Sequence, residues 1–175
     1  MRYEYSLAIR AILAILAFLL RDIFYAIFSP LTLFFSFILL QSFGYNPAVN
    51  IATDTIMVYG HTLQFIPACT AASAYLLLVL LILLTKDIKI STRIYIFLLG
   101  SFLILAMNIL RIDILIIILV KYSKDFFNTI HLLFWKIVST VFVAFVWILL
   151  SIIFKVKTIP VVSDIVYLIE IIRKR

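Results

Sequence analysis

The chain has 175 residues, 66% of them hydrophobic, and a mean hydropathy of +1.27. Soluble domains are about 45–50% apolar, so an ordinary soluble globular domain is excluded and an integral membrane protein is expected. Lys and Arg number 15 against 8 Asp and Glu, a net charge of +7, but they flank apolar runs instead of forming an aromatic-studded patch, which argues for membrane topology and against a nucleic-acid partner.

The single cysteine excludes an internal disulfide and a multi-cysteine metal site, and there is no glycine-rich phosphate loop or HExxH pair. No metal or other cofactor is expected. The N-terminus lacks the small-residue cleavage site of a secretory signal.

A helix crossing the roughly 30 Å hydrocarbon core needs about 20 mostly apolar residues. The run 7–20 is short for that; Arg21 and Asp22 interrupt it and 23–43 follows. Two helices are expected, over 5–21 and 23–43. The first is either a span or, given Arg10 and its length, a helix lying in the interface. Residues 44–67 differ, with Gly, Asn-Pro, Asp-Thr and Tyr-Gly-His turn signals between β-rich pieces. The spacing predicts a small hairpin of 51–59 with 62–66 around Gly60. Such a segment cannot face lipid with unpaired backbone groups, so it belongs at one membrane face or under cover of protein. Three spans follow, over 68–84, 94–120 and 130–154. The tail 160–172 alternates Ser163, Asp164, Tyr167 and Glu170 with aliphatics and ends in Arg173, Lys174 and Arg175, the pattern of an amphipathic surface helix. The expected fold is an all-α polytopic membrane protein of about five spans, with one domain over 1–155 and a basic cytoplasmic tail over 156–175.

Short cytoplasmic loops collect Lys and Arg. The 85–93 connection holds Lys86, Lys89 and Arg93, the tail adds Lys155 and Lys157, and 44–66 holds no Lys or Arg. The 121–129 connection has only Lys121 and Lys124. One topology fits: 44–67 outside, 85–93 inside, 121–129 outside, C-terminus inside.

In that topology three reactive groups from three helices fall at the outer face. Cys69 follows Pro67, in the expected first turn of its helix, where the backbone dipole lowers a thiol pKa; the plain alternative is a small buried hydrophobe. Ser73 is one turn further along the same face. Arg111 lies about nine residues, roughly 14 Å, inside the outer end of its helix, too deep to snorkel, and a charge within a span usually marks function. Asn108 shares its face and can position the guanidinium. Asp113 is about 200° round the helix, on another face. His131 starts the last span; it is either an interfacial histidine or a base for the thiol. His61 is the rival base. Trp135 and Lys136 read as interfacial anchoring and packing.

Three segments carry a resemblance: "IPACTAASAYLLL", "LAMNILRIDIL" and "NTIHLLFWKI". Together they are similar to the exosortase/archaeosortase family, in which a cysteine at the outer end of one helix precedes an Asn-x-x-Arg-Ile segment and a His or Arg starting a later helix. The match runs over roughly 44–154, and "CTAASAY" looks closer to the archaeal branch. The resemblance implies a membrane-embedded cysteine peptidase and transpeptidase of the cell membrane. Its substrates would be C-terminal tails of secreted proteins, cut at the outer face, with a membrane lipid as the implied acceptor. Cys69 would be the nucleophile, Arg111 the oxyanion partner and His131 the acid–base group, with Asn108 and Ser73 supporting. The rival class is a non-catalytic membrane protein, such as a transporter subunit or assembly partner.

Overall fold

A computed structural model describes residues 3–86, 88–134, 139–156 and 169. The expected tail helix over 160–172, and Trp135 and Lys136, lie outside the described residues apart from Ile169. Among the described residues there are six helices: α1 (Tyr3–Leu19), α2 (Asp22–Ser42), α3 (Ala72–Leu84), α4 (Ile90–Lys121), α5 (Lys124–Leu133) and α6 (Ser139–Ile153). Strands β1 (Ala48–Asn50), β2 (Thr55–Val58) and β3 (His61–Gln64) stand between α2 and α3. The protein is therefore mostly helical with one small sheet. Helices α2 and α4 are long and apolar enough to cross a membrane; α1, α3 and α6 hold shorter apolar stretches.

Helices α1 and α2 follow one another instead of folding back. No Gly or Pro lies between Tyr3 and Ser29, so nothing supplies the left-handed residue that a tight reversal favours. The chain passes Leu20 and Arg21 through tightened turns, with Ile23 N–H donating to Leu20 O (3.1 Å) and Phe24 N–H to Arg21 O (3.2 Å). Short 3₁₀ stretches of this kind kink a helix without ending it. Arg21 and Asp22 form only an exposed ion pair at 3.7 Å.

Helix α3 runs antiparallel to this rod. At its C-terminal end Arg10 Nη1 donates to Leu84 O (3.3 Å); at its N-terminal end Tyr75 stacks on Phe28, ring centroids 3.5 Å apart. Arg10, the residue that made α1 doubtful as a span, is buried and caps the carbonyl end of α3. Arg93 joins it, donating from Nη2 to Thr85 O (2.9 Å). Two guanidiniums thus meet carbonyls that the helix itself cannot satisfy.

Helix α4 returns antiparallel to α3. Gly100 lets α3 and α6 approach: a Cβ there would stand 2.7 Å from Leu78 Cδ2 and 3.0 Å from Leu150 Cδ1. One core cluster joins Phe28, Tyr75, Leu78, Ile82, Ile96, Ile104, Val146 and Leu150. Beyond the start of α3, the sheet packs against α2 and α4 instead. Ile56, Val58 and Phe65 meet Leu33, Leu40, Ile112 and Ile116 in a second cluster.

The sheet is antiparallel in the order β1-β2-β3, with Val49 opposite Ile56 and Val58 opposite His61. Tyr59 (φ 48°) and Gly60 (φ 81°) make the turn, both left-handed as a two-residue hairpin of matching twist requires. The hairpin around Gly60 forms as expected. Strand β1, only three residues long, carries too little alternation to be read from sequence.

One expectation needs correction. The run 68–84 is not wholly helical: Ala71 is left-handed (φ 55°, ψ 30°) and α3 begins at Ala72. In the run 130–154, His131 lies on α5 with Phe134 still helical after it, and α6 is described from Ser139; residues 135–138 lie outside the described residues.

Candidate functional site around Cys69

Cys69 is a free, half-buried thiol in a tight turn between the sheet and α3. Its N–H donates to Ile66 O (2.8 Å), while Ala72 N–H and Thr70 Oγ1 both reach Pro67 O (3.3 and 3.2 Å). The left-handed Ala71 separates this turn from α3. Cys69 therefore does not occupy the first helical turn, and the helix-dipole argument for its acidity lapses. Ser73, on that first turn, is exposed and makes no side-chain hydrogen bond among the described residues.

What meets Cys69 is Arg111. The guanidinium is 5% exposed and donates from Nη2 to Cys69 O (2.8 Å) and Ala68 O (3.3 Å). It holds the backbone of the cysteine turn from 42 residues away. No hydrogen bond joins Asn108 to Arg111 among the described residues, so the expected positioning contact is absent. Asn108 is buried, with its amide nitrogen lacking a partner.

His131 sits half-buried on α5, its ring 5.5 Å from that of Phe127. Helix α5 has apolar and polar faces and no buried residue. Burial, and next the Arg111 charge, hold the imidazole below its ordinary value of 6.5. Its neutral form, the one able to accept a proton, is favoured in this position. His61 is exposed beside the Tyr59–Gly60 turn, at the opposite end of the hairpin from the strand end that leads into Cys69.

Three residues with no role in the sequence reading hold this corner together. Asp54, left-handed at φ 49°, accepts from Tyr25 Oη (2.8 Å) and Ser29 Oγ (2.7 Å) of α2. Tyr25 Oη also lies 2.8 Å from Phe65 O, and Phe65 N–H donates to Asp54 O (2.7 Å). The clasp ties the sheet to α2 immediately before the cysteine turn. Tyr25 and Ser29 stand four apart on one face of α2, the one sequence signal that could have paired them. Asp113 lies on another face of α4 from Arg111. It is 2% exposed and faces the buried Ser36 of α2.

A pocket of about 30 Å³ lies beside the turn, among Ala71, Ala74, Ile104, Asn108, Arg111 and Phe142. It has room for a water and not for a peptide, so a substrate chain would have to part α3 from α6 or approach from the Cys69 side. Among the described residues no three His, Cys, Asp or Glu side chains gather as a metal site would need. No protein-family model, curated protein or solved structure matches the chain.

Proposed function

We propose that the chain is a membrane-embedded cysteine-dependent peptidase and transpeptidase. It removes C-terminal sorting tails from secreted proteins and transfers the new C-terminus to an acceptor, a membrane lipid. One observation carries this reading: the only cysteine sits in a tight turn gripped by a buried arginine (Nη2 to Cys69 O, 2.8 Å); the histidine is half-buried on α5. Three separate elements supply these groups, the same three segments that carry the family resemblance. In this reading the chain is multi-pass in the cell membrane, with residues 44–67 outside and the tail inside.

The chemistry follows from the groups. Neutral His131 takes the Cys69 thiol proton. The thiolate forms an S–C bond to the scissile carbonyl, and the displaced π pair becomes an oxyanion. Arg111 stabilises that charge in a site poor in water. Collapse breaks the C–N bond, His131 returns its proton to the leaving amine, and a thioester remains. An acceptor hydroxyl, an amine or water then attacks the thioester and restores the thiol.

The test is replacement of the native protein by Cys69→Ala in its host, with C-terminal peptides of secreted and surface proteins compared by mass spectrometry. A set of proteins that keep hydrophobic, basic-ended tails only in the mutant supports the reading. Identical processing with the variant present and folded defeats it. One observation favours a second reading, a non-catalytic assembly partner or transporter subunit: Arg111 donates to backbone carbonyls, as a purely structural arginine would. That reading predicts a silent Cys69→Ala and a loss of folded protein in Arg111→Ala.

A further inference from the structure

Asn108 stands out among the buried polar groups near the cysteine turn. It is 4% exposed, its amide nitrogen has no partner among the described residues, and it lines the pocket beside Arg111 and Ala71. An unmade hydrogen bond on a buried amide costs stability, and an apolar residue of the same shape would avoid that cost. The other walls, among them Ala74, Ile104 and Phe142, are apolar, so charge on a group placed here is weakly screened by its surroundings and a donor counts for more than in bulk water. The pocket adjoins the residue that holds the Cys69 carbonyl and lies two residues along the chain from Cys69 itself.

We propose that Asn108 is a hydrogen-bond donor, beside Arg111, to the carbonyl oxygen of an acyl group being transferred to Cys69. The ligand class is an acyl carbonyl: neutral before attack, an oxyanion as the S–C bond forms, and a thioester carbonyl afterwards. This rests on the reading of Cys69 as the nucleophile. It gives Asn108 a role toward substrate and not toward the guanidinium.

The test compares two reactions of Cys69 in the purified full chain in lipid nanodiscs, followed by intact mass. Acetylation by 4-nitrophenyl acetate forms the S–C bond through an oxyanion, breaks the ester C–O bond, and releases 4-nitrophenolate while the thiol proton passes to the base and buffer. Methylation by iodomethane displaces iodide from a saturated carbon and forms no oxyanion. Asn108→Leu is expected to slow acetylation about ten- to hundred-fold, to leave methylation unchanged, and to keep or raise the unfolding temperature, because it removes an unpartnered amide. Asn108→Ala should show the same split between the two rates. Acetylation unchanged in both variants, or both reactions slowed together, overturns the proposal. A native Cys69 that is methylated but never acetylated instead sinks the nucleophile reading, and this inference falls with it.

Discussion

At the scale of single residues the site depends on where Arg111 directs its hydrogen bonds. A guanidinium offers five donors in a fixed plane. One nitrogen here serves the carbonyls of Ala68 and Cys69, so the residue sets the shape of the cysteine turn as well as its charge. His131 is half-buried on α5. Its depressed pKa has burial as the larger cause and Arg111 as the second, and this fixes the sign of its pH dependence. The imidazole is neutral above its shifted value and becomes protonated only as the pH falls below 6.5. A base role for His131 therefore predicts a rate that holds to pH below 6.5 and fails on the acid side. In a His61→Gln background, ring-carbon NMR should show the remaining histidine titrating below 6.5. Arg111→Gln should move that titration upward but not back to the ordinary value, since burial remains. A titration that ignores Arg111→Gln would separate the two groups.

At the scale of elements, two contacts set the frame. The Asp54 clasp joins the strand-bearing segment to α2 and adds directional bonds to the apolar packing of Ile56, Val58 and Phe65 on Leu33 and Leu40. Asp54→Ala removes the acceptor of two hydroxyls and leaves the buried Ser29 without its partner. A loss of about 2–3 kcal/mol is expected, read as a lower unfolding temperature, together with faster alkylation of Cys69 as its turn loosens. Asp54→Asn keeps an acceptor and tolerates the left-handed backbone, so it should lose less. The second contact is Gly100, where α3, α4 and α6 cross. Ala at this position gains helix propensity of about 1 kcal/mol and displaces only the ends of Leu78 and Leu150, so Gly100→Ala should be nearly neutral. Gly100→Val adds branched bulk against the same fully buried side chains and should cost about 1–3 kcal/mol. Equal stability of the two variants would mean that the helices there have room to spare.

At the scale of the whole molecule, the continuity of α1 and α2 decides the topology. The rod and α4 run in the same direction, with α3 antiparallel beside them, so the start of α1 and the start of α4 lie at one end and the sheet toward the other. With Cys69→Ser as background, single cysteines replacing the exposed Tyr5 and Ile90 should label from the same membrane side with an impermeant maleimide. One replacing Asn50 should label from the opposite side. Labelling of positions 5 and 90 from opposite sides would mean that α1 folds back in the membrane.

Much of this architecture was legible in the order of residues, because it depends on local interactions. Apolar run lengths set α2 and α4. The turn chemistry of Tyr59 and Gly60 set the hairpin, and the absence of Lys and Arg between residues 44 and 66 marked that segment as distinct. The cysteine, arginine and histidine segments were separable by motif alone. Other features were decided only by which surfaces meet across long separations. Arg21 and Asp22 read as an interruption between two helices, and α1 and α2 do divide there, but that α2 continues onward and does not fold back beside α1 is decided by the contacts of both with α3. Arg10 read as a misfit in a span until the carbonyl end of α3, 74 residues on, gave it a partner. Cys69 read as helical, but the left-handed Ala71 places it in a turn whose carbonyl Arg111 holds. The clasp joins Tyr25 and Ser29 of α2 to Asp54, with which they share no periodicity. A hydrogen bond between residues 25 or more apart leaves no trace in local pattern, because its geometry exists only after the helices have packed.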